Sequence, residues 1–134
     1  IRCNIISLVC YVLHALKSDE KSFKSFGEAY FSTIKYNMVK AWKRHKLMTM
    51  NLLVPYGAVR FVFYDDRKKD PVWSEFTISL ENYKRITIPP MIWMGFQGMA
   101  KDYSLVLNIS DMKHDPSEVE NIEANEIEYD WEKL

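Results

Sequence analysis

The chain has 134 residues, of which 48% are apolar and 14% aromatic, enough for a single domain over 1–134 with one hydrophobic core. Its 18 basic and 18 acidic side chains cancel, which gives no support to bulk binding of nucleic acid or of an acidic membrane. The apolar stretch from Ile5 to Leu16 falls short of the about 20 residues that cross a bilayer. Lys17-Ser18-Asp19-Glu20 follows it instead of a small-residue cleavage site, so a core strand is expected over Ile5 to Leu13, with no membrane partner. Cys3 and Cys10 in that stretch read as buried thiols, which suits a reducing cytoplasm.

Short β-type runs separated by turn residues then dominate the chain. Glu28 to Lys35 is the first, and Tyr36-Asn37 makes a turn into Met38 to Trp42. Met48 to Val54 ends at Pro55-Tyr56-Gly57, a strong turn signal. Ala58 to Tyr64 alternates Val59, Phe61 and Phe63 against Arg60, Val62 and Tyr64. A charged loop from Asp65 to Pro71 precedes strands over Val72 to Leu80 and Lys84 to Ile88. Pro89-Pro90 stops the last of these, because proline has no ladder donor. Tyr103 to Ile109 is a further strand. Ser18 to Lys24 is expected to form a turn or two of helix with Ser18 as N-cap, and Ser117 to Glu126 a short helix entered through Pro116. This count of strands makes the chain all-β.

Charge is spread unevenly. Lys17 to Lys46 holds eight basic and three acidic residues, whereas Asp115 to Leu134 holds eight acids and only Lys133 as a base. The asymmetry reads either as a solvated tail and a solvated face, or as a basic pocket for a phosphorylated ligand.

Four segments in order carry a family resemblance: Gly27-Glu28-Ala29-Tyr30-Phe31-Ser32, Val39 to His45, Gly57 through Asp65-Asp66-Arg67, and Ile88-Pro89-Pro90 through Gly95-Phe96. His114-Asp115-Pro116 and Tyr129-Asp130-Trp131 extend it to roughly residues 26–131. Together they resemble the dTDP-4-dehydrorhamnose 3,5-epimerase family of cupins. The resemblance implies a jelly-roll β-barrel or sandwich with a short C-terminal helical segment, a homodimer, no metal and no cofactor. It implies a nucleotide-diphosphate sugar as substrate, with a proton taken from the carbon beside a 4-ketone and returned from the other face. That chemistry needs a base, a donor for the enolate oxygen, and cations for the diphosphate.

The chain departs from the family at the reacting positions. The family strand reads Arg or Lys, Gly, apolar, His, with the histidine as base; here the stretch is Lys40-Ala41-Trp42-Lys43. A second family histidine is replaced by Met94, and the tyrosine acid is missing from Asn108 to Met112. Residues 40–45 are expected to be extended, with their basic side chains facing a cavity. His45, two residues after Lys43, then shares its face. His45 and Lys43 are the catalytic candidates: His45 as base or as a rim histidine, Lys43 as base, enolate cation or surface lysine. Lys40 and Arg44 are placed on the diphosphate and Trp93 on the pocket wall; Arg67 is placed on the substrate or paired with the neighbouring aspartates. Tyr30, Tyr36, Tyr64, Tyr83 and Tyr103 are possible phenol donors. His14 is expected in the core and His114 at the surface.

The leading expectation is an epimerase or isomerase of a dTDP- or other NDP-linked 4-keto hexose, in surface-polysaccharide or deoxysugar synthesis. The second is a non-catalytic cupin that binds a sugar nucleotide or carbohydrate. Three dispersed histidines argue against a metal.

Overall fold

The computed structural model describes residues 12–133 and, before them, only the backbone of residues 4–5 and 8–9. Cys3, Cys10 and most of the expected first core strand lie outside the described residues. What is described there is a two-residue ladder, β1 (Asn4–Ile5) with β2 (Leu8–Val9). Val12, Leu13 and His14 are exposed, so neither the end of that strand nor His14 belongs to the core. The backbone carbonyl of His14 accepts from the Tyr83 hydroxyl at 2.9 Å.

Two antiparallel sheets face each other. The first has the order β3 (Glu28–Lys35), β10 (Tyr103–Ser110), β5 (Met50–Tyr56), β8 (Ile86–Ile88). The second has the order β11 (Val119–Asn121), β4 (Val39–His45), β9 (Trp93–Gly98), β6 (Ala58–Asp65), β7 (Val72–Ser79). From β3 onward the chain passes between the sheets at nearly every step, the jelly-roll route of the cupins. Side chains that alternate inward from both sheets form the core. Ile34, Met50, Leu52, Val54, Ile88 and Val106 meet Val59, Phe61, Phe63, Ile78 and Met94 there. The alternation expected along β6 is thus realised, with Val62 on the outer face.

That outer face is not left to solvent. Trp42, Val62 and Trp93 pack under Ile127, Tyr129 and Trp131 of the closing segment. Arg60, only 4% exposed, donates to the Gln97 side chain and to the carbonyls of Trp131 at 2.6 Å and Lys133 at 2.5 Å. Gly95 admits the Trp131 ring, which a Cβ would meet at 2.8 Å.

Two helical expectations are corrected. Residues 18–24 form turns, held by Glu20 N–H to Lys17 O and Phe23 N–H to Glu20 O. Ser117–Glu126 is a single 3₁₀ turn, Pro116–Glu118, followed by β11. Asp115 caps the turn, and Val119 to Asn121 then pair with His45 to Lys43; ladder pairing overrides the acid-rich helix start. Trp93–Gly98, for which the sequence pattern predicts no strand, is the central strand of the second sheet.

The β5–β6 link is a single residue, Gly57, at φ +80°. A Cβ there would sit 2.5 Å from Ser104 Oγ and 2.8 Å from its Cα. Gly57→Ala is expected to lower the unfolding free energy by about 1–3 kcal/mol, read from urea denaturation; an unchanged midpoint contradicts this placement.

Candidate active site

Between the sheets opens a cavity of about 210 Å³. Its second-sheet wall carries Lys40, Lys43, His45, Met94 and Phe96; its first-sheet wall carries Tyr30, Ser32, Met50, Leu52, Val106 and Asn108. Lys43 and His45 share a face because they are two apart in β4. Lys40, three before Lys43, would fall on the other face of a regular strand. The β4–β9 register shifts between Lys40 and Lys43, and this irregularity lets both lysines line the cavity.

His45 is buried and joined through Nδ1 to the carboxylate of Glu118, which is 2% exposed. The second Glu118 oxygen accepts the backbone N–H groups of Leu47 at 3.2 Å and Met48 at 3.3 Å. Burial pushes the Glu118 carboxyl up. Hydrogen bonds from His45 and the two amides outweigh it and hold the group below its ordinary value of 4.5. A carboxylate on Nδ1 fixes the imidazole as its Nδ1–H tautomer. His45 Nε2 has no hydrogen-bond partner among the described residues and is free to accept a proton. Lys43 is half-buried; burial first, and then the like charge of Lys40, lowers its pKa, while Glu118 opposes the shift.

The remaining basic and aromatic candidates are placed elsewhere. Arg44 points to the outer face of the second sheet. It bonds Glu120 at 2.6 Å and Asp66 at 3.3 Å and lies 4.3 Å over the Trp93 ring. Trp93 is buried on that same face with Nε1 on Asp66 at 3.3 Å; the alternation of β9 turns Met94 to the cavity instead. Arg67 is exposed and grips Asp65 through two bonds of 2.8 Å, which push the Asp65 carboxyl down to about 2. None of these three lines the cavity. His114 is exposed. Tyr36, Tyr64, Tyr83 and Tyr103 lie off the cavity, and Tyr30 alone of the named tyrosines lines it. Among the described residues no group of three or more His, Cys, Asp or Glu side chains is placed to hold a metal ion, and no helix is long and apolar enough to cross a membrane.

Sequence reading missed Glu118, because its segment looked like a helix start. Nor does local pattern single out Asn108, which lies within an apolar strand. The acidic closing stretch is not a free tail. Glu118 and Glu120 pair with His45 and Arg44, and Glu75 on β7 takes Lys133 at 3.0 Å.

A roll of two sheets around a basic cavity defines a cupin barrel. The chain is 36% identical to a dTDP sugar isomerase of Desulfovibrio desulfuricans G20, whose crystal structure superposes with a TM-score of 0.86 over 98% of this chain and 86% of that one. A probable low-salt glycan biosynthesis epimerase of Haloferax volcanii is 29% identical over 125 residues, covering 90% of this chain and 78% of that protein. The fold also matches a dTDP-4-dehydrorhamnose 3,5-epimerase of Bacillus anthracis solved with TDP and pyrophosphate, at 19% identity and a TM-score of 0.71, over 82% of this chain and 67% of that one. No protein-family model matches the chain. The chain belongs to the family of the Desulfovibrio dTDP sugar isomerase, and shares its fold with the dTDP-4-dehydrorhamnose 3,5-epimerase of Bacillus anthracis.

Glu118→Leu is expected to cost on the order of 3 kcal/mol, because it leaves His45 Nδ1–H and two amides without acceptors. The unfolded carboxyl takes its proton near 4.5 and the folded one only at lower pH. The Glu118 contribution is therefore whole above about pH 4.5 and lost as pH falls through the folded value. Urea midpoints of wild type and Glu118→Leu converge on acidification; a gap that stays constant to pH 3 contradicts the pairing.

Proposed function

We propose that the protein epimerises or isomerises a dTDP- or other NDP-linked 4-keto hexose, within deoxysugar or surface-polysaccharide synthesis. The observation that carries the reading is His45, buried at the cavity wall with Glu118 on Nδ1 and, among the described residues, no partner on Nε2. The carbon beside a ketone is acidic. His45 Nε2 takes its proton, the C–H pair becomes the C=C of an enolate, and Glu118 steadies the imidazolium that forms.

Lys43, close by on the same strand face, donates to the ketone oxygen as it gains charge. The water-poor surroundings that lower its pKa also strengthen that bond. Lys40, exposed while lining the cavity, meets the diphosphate at the mouth. At about 210 Å³ the cavity is below the roughly 300–1,000 Å³ of pockets for drug-sized ligands, which suits entry of the sugar ring with the nucleotide on the rim. His45 thus supplies a base although Lys43 and Met94 stand where the family has histidines. Assembly as a cytoplasmic homodimer completes the reading. Its support is β3, an edge strand of the first sheet with Phe31 62% exposed.

Incubation with a dTDP-4-keto-6-deoxyhexose in deuterated water tests the reaction. Deuterium is expected to enter beside the ketone, at a rate about 10²–10⁴-fold lower in His45→Asn, with dTDP affinity unchanged. Binding without exchange in the wild type would identify a carbohydrate-binding cupin instead.

A further inference from the structure

A 4-keto sugar offers two reacting atoms, an acidic C–H carbon and an electrophilic carbonyl carbon. His45 serves the first. For the second the cavity wall holds an amine, Lys43, two residues before His45 and on the same strand face. A lysine is ordinarily a cation and no nucleophile, because its lone pair carries a proton. It becomes a nucleophile where water is scarce or a second cation stands near, since both disfavour the ammonium.

Lys43 meets both conditions. Its side chain is half-buried, whereas Lys40 is exposed. Its ladder partners are Met94 on β9 and Asn121 on β11, and both line the same cavity without charge. Lys40 lines the cavity too and repels a second ammonium. The acid that acts on Lys43, Glu118, is already taken by His45 and by the amides of Leu47 and Met48. Among the described residues the Lys43 amine has no hydrogen-bond or ion-pair partner.

Resting on the 4-keto sugar reading above, we propose that Lys43 is a nucleophile that condenses with the sugar ketone to an iminium, from which His45 removes the neighbouring proton. The Nζ lone pair forms a C–N bond with the carbonyl carbon, and the C=O pair moves to oxygen. Counted from the ammonium, two of its hydrogens leave with that oxygen as water, and the positive charge stays on nitrogen as C=N⁺. His45 Nε2 takes the proton from the adjacent carbon, the C–H pair becomes C=C, and the C=N⁺ pair settles on nitrogen. The intermediate is a neutral enamine, the nitrogen counterpart of the enolate. The charge has passed to the His45 imidazolium, where Glu118 meets it. A cavity walled by Met50, Leu52, Met94 and Val106 thus holds no enolate charge. Return of a proton to carbon restores the iminium, and water then releases the ketone and Lys43. Lys43 has two uses in sequence: the ammonium donates to the ketone oxygen, and after shedding a proton it bonds the carbon.

Cyanoborohydride, which reduces an iminium faster than a ketone, tests the covalent bond. With a dTDP-4-keto-6-deoxyhexose it is expected to fix the sugar on the wild-type protein, the mass rising by that of the sugar nucleotide less one oxygen. Peptide mapping places the adduct on Lys43 and not on Lys40, and Lys43→Arg loses it. The same variant separates the two uses of the residue. Arginine keeps the positive charge and the hydrogen-bond donors but adds to no ketone, so deuterium exchange beside the ketone falls as far as in Lys43→Met. Three results overturn the proposal and leave the epimerase reading standing: a wild type that exchanges deuterium without forming the adduct, an adduct spread over surface lysines, or a Lys43→Arg that exchanges at the wild-type rate. A wild type that binds dTDP but neither exchanges nor forms an adduct overturns that reading, and the proposal with it.

Discussion

A buried carboxylate holds this site together. Glu118 is almost without solvent, yet it sits below its ordinary pKa, because an imidazole and two backbone amides surround it. Burial alone would neutralise it. The hydrogen bonds decide the contest, and they are available only when the turn Pro116–Glu118 lies against the end of β4. Lys46 N–H donates to the Glu118 carbonyl at 2.8 Å, and β11 continues the ladder along β4. The same contact therefore closes the edge of the second sheet and orients the histidine that lines the cavity.

Charge follows the same logic along the rest of the segment. Glu120 takes Arg44, and Arg44 covers Trp93. Arg60 anchors the chain end through carbonyls, and Trp131 fills the space that Gly95 leaves. Much of the outer face of the second sheet is consequently covered by its own chain, while Lys40, Lys43 and His45 line the cavity on the inner face. Exposed pairs such as Arg67 with Asp65 add little to stability, since solvent screens them.

Much of this was legible in the residues. Short β-type runs mark β3, β6, β7 and β10, with alternation along β6, and Pro55-Tyr56-Gly57 marks the turn before it. The i, i+2 relation of Lys43 and His45 placed both on the cavity face. Three features were not legible. The irregularity between Lys40 and Lys43 breaks the two-residue period, so alternation alone misplaces Lys40. Arg44 and Trp93 are polar and aromatic like site residues, but neighbours on the outer face claim them. Glu118 and Asn108 meet His45 and Tyr30 over separations of 73 and 78 residues, which no local pattern encodes. Tyr30 had a local signal in the inward series Tyr30, Ser32, Ile34, but it stood among eight tyrosines.

Nitrogen-15 NMR of the His45 imidazole addresses the central claim most directly. With Glu118 accepting from Nδ1, the neutral ring should appear as the Nδ1–H tautomer, with Nε2 carrying a lone pair. A ring protonated at Nε2, or averaging between tautomers as a solvent-exposed histidine does, would contradict the account.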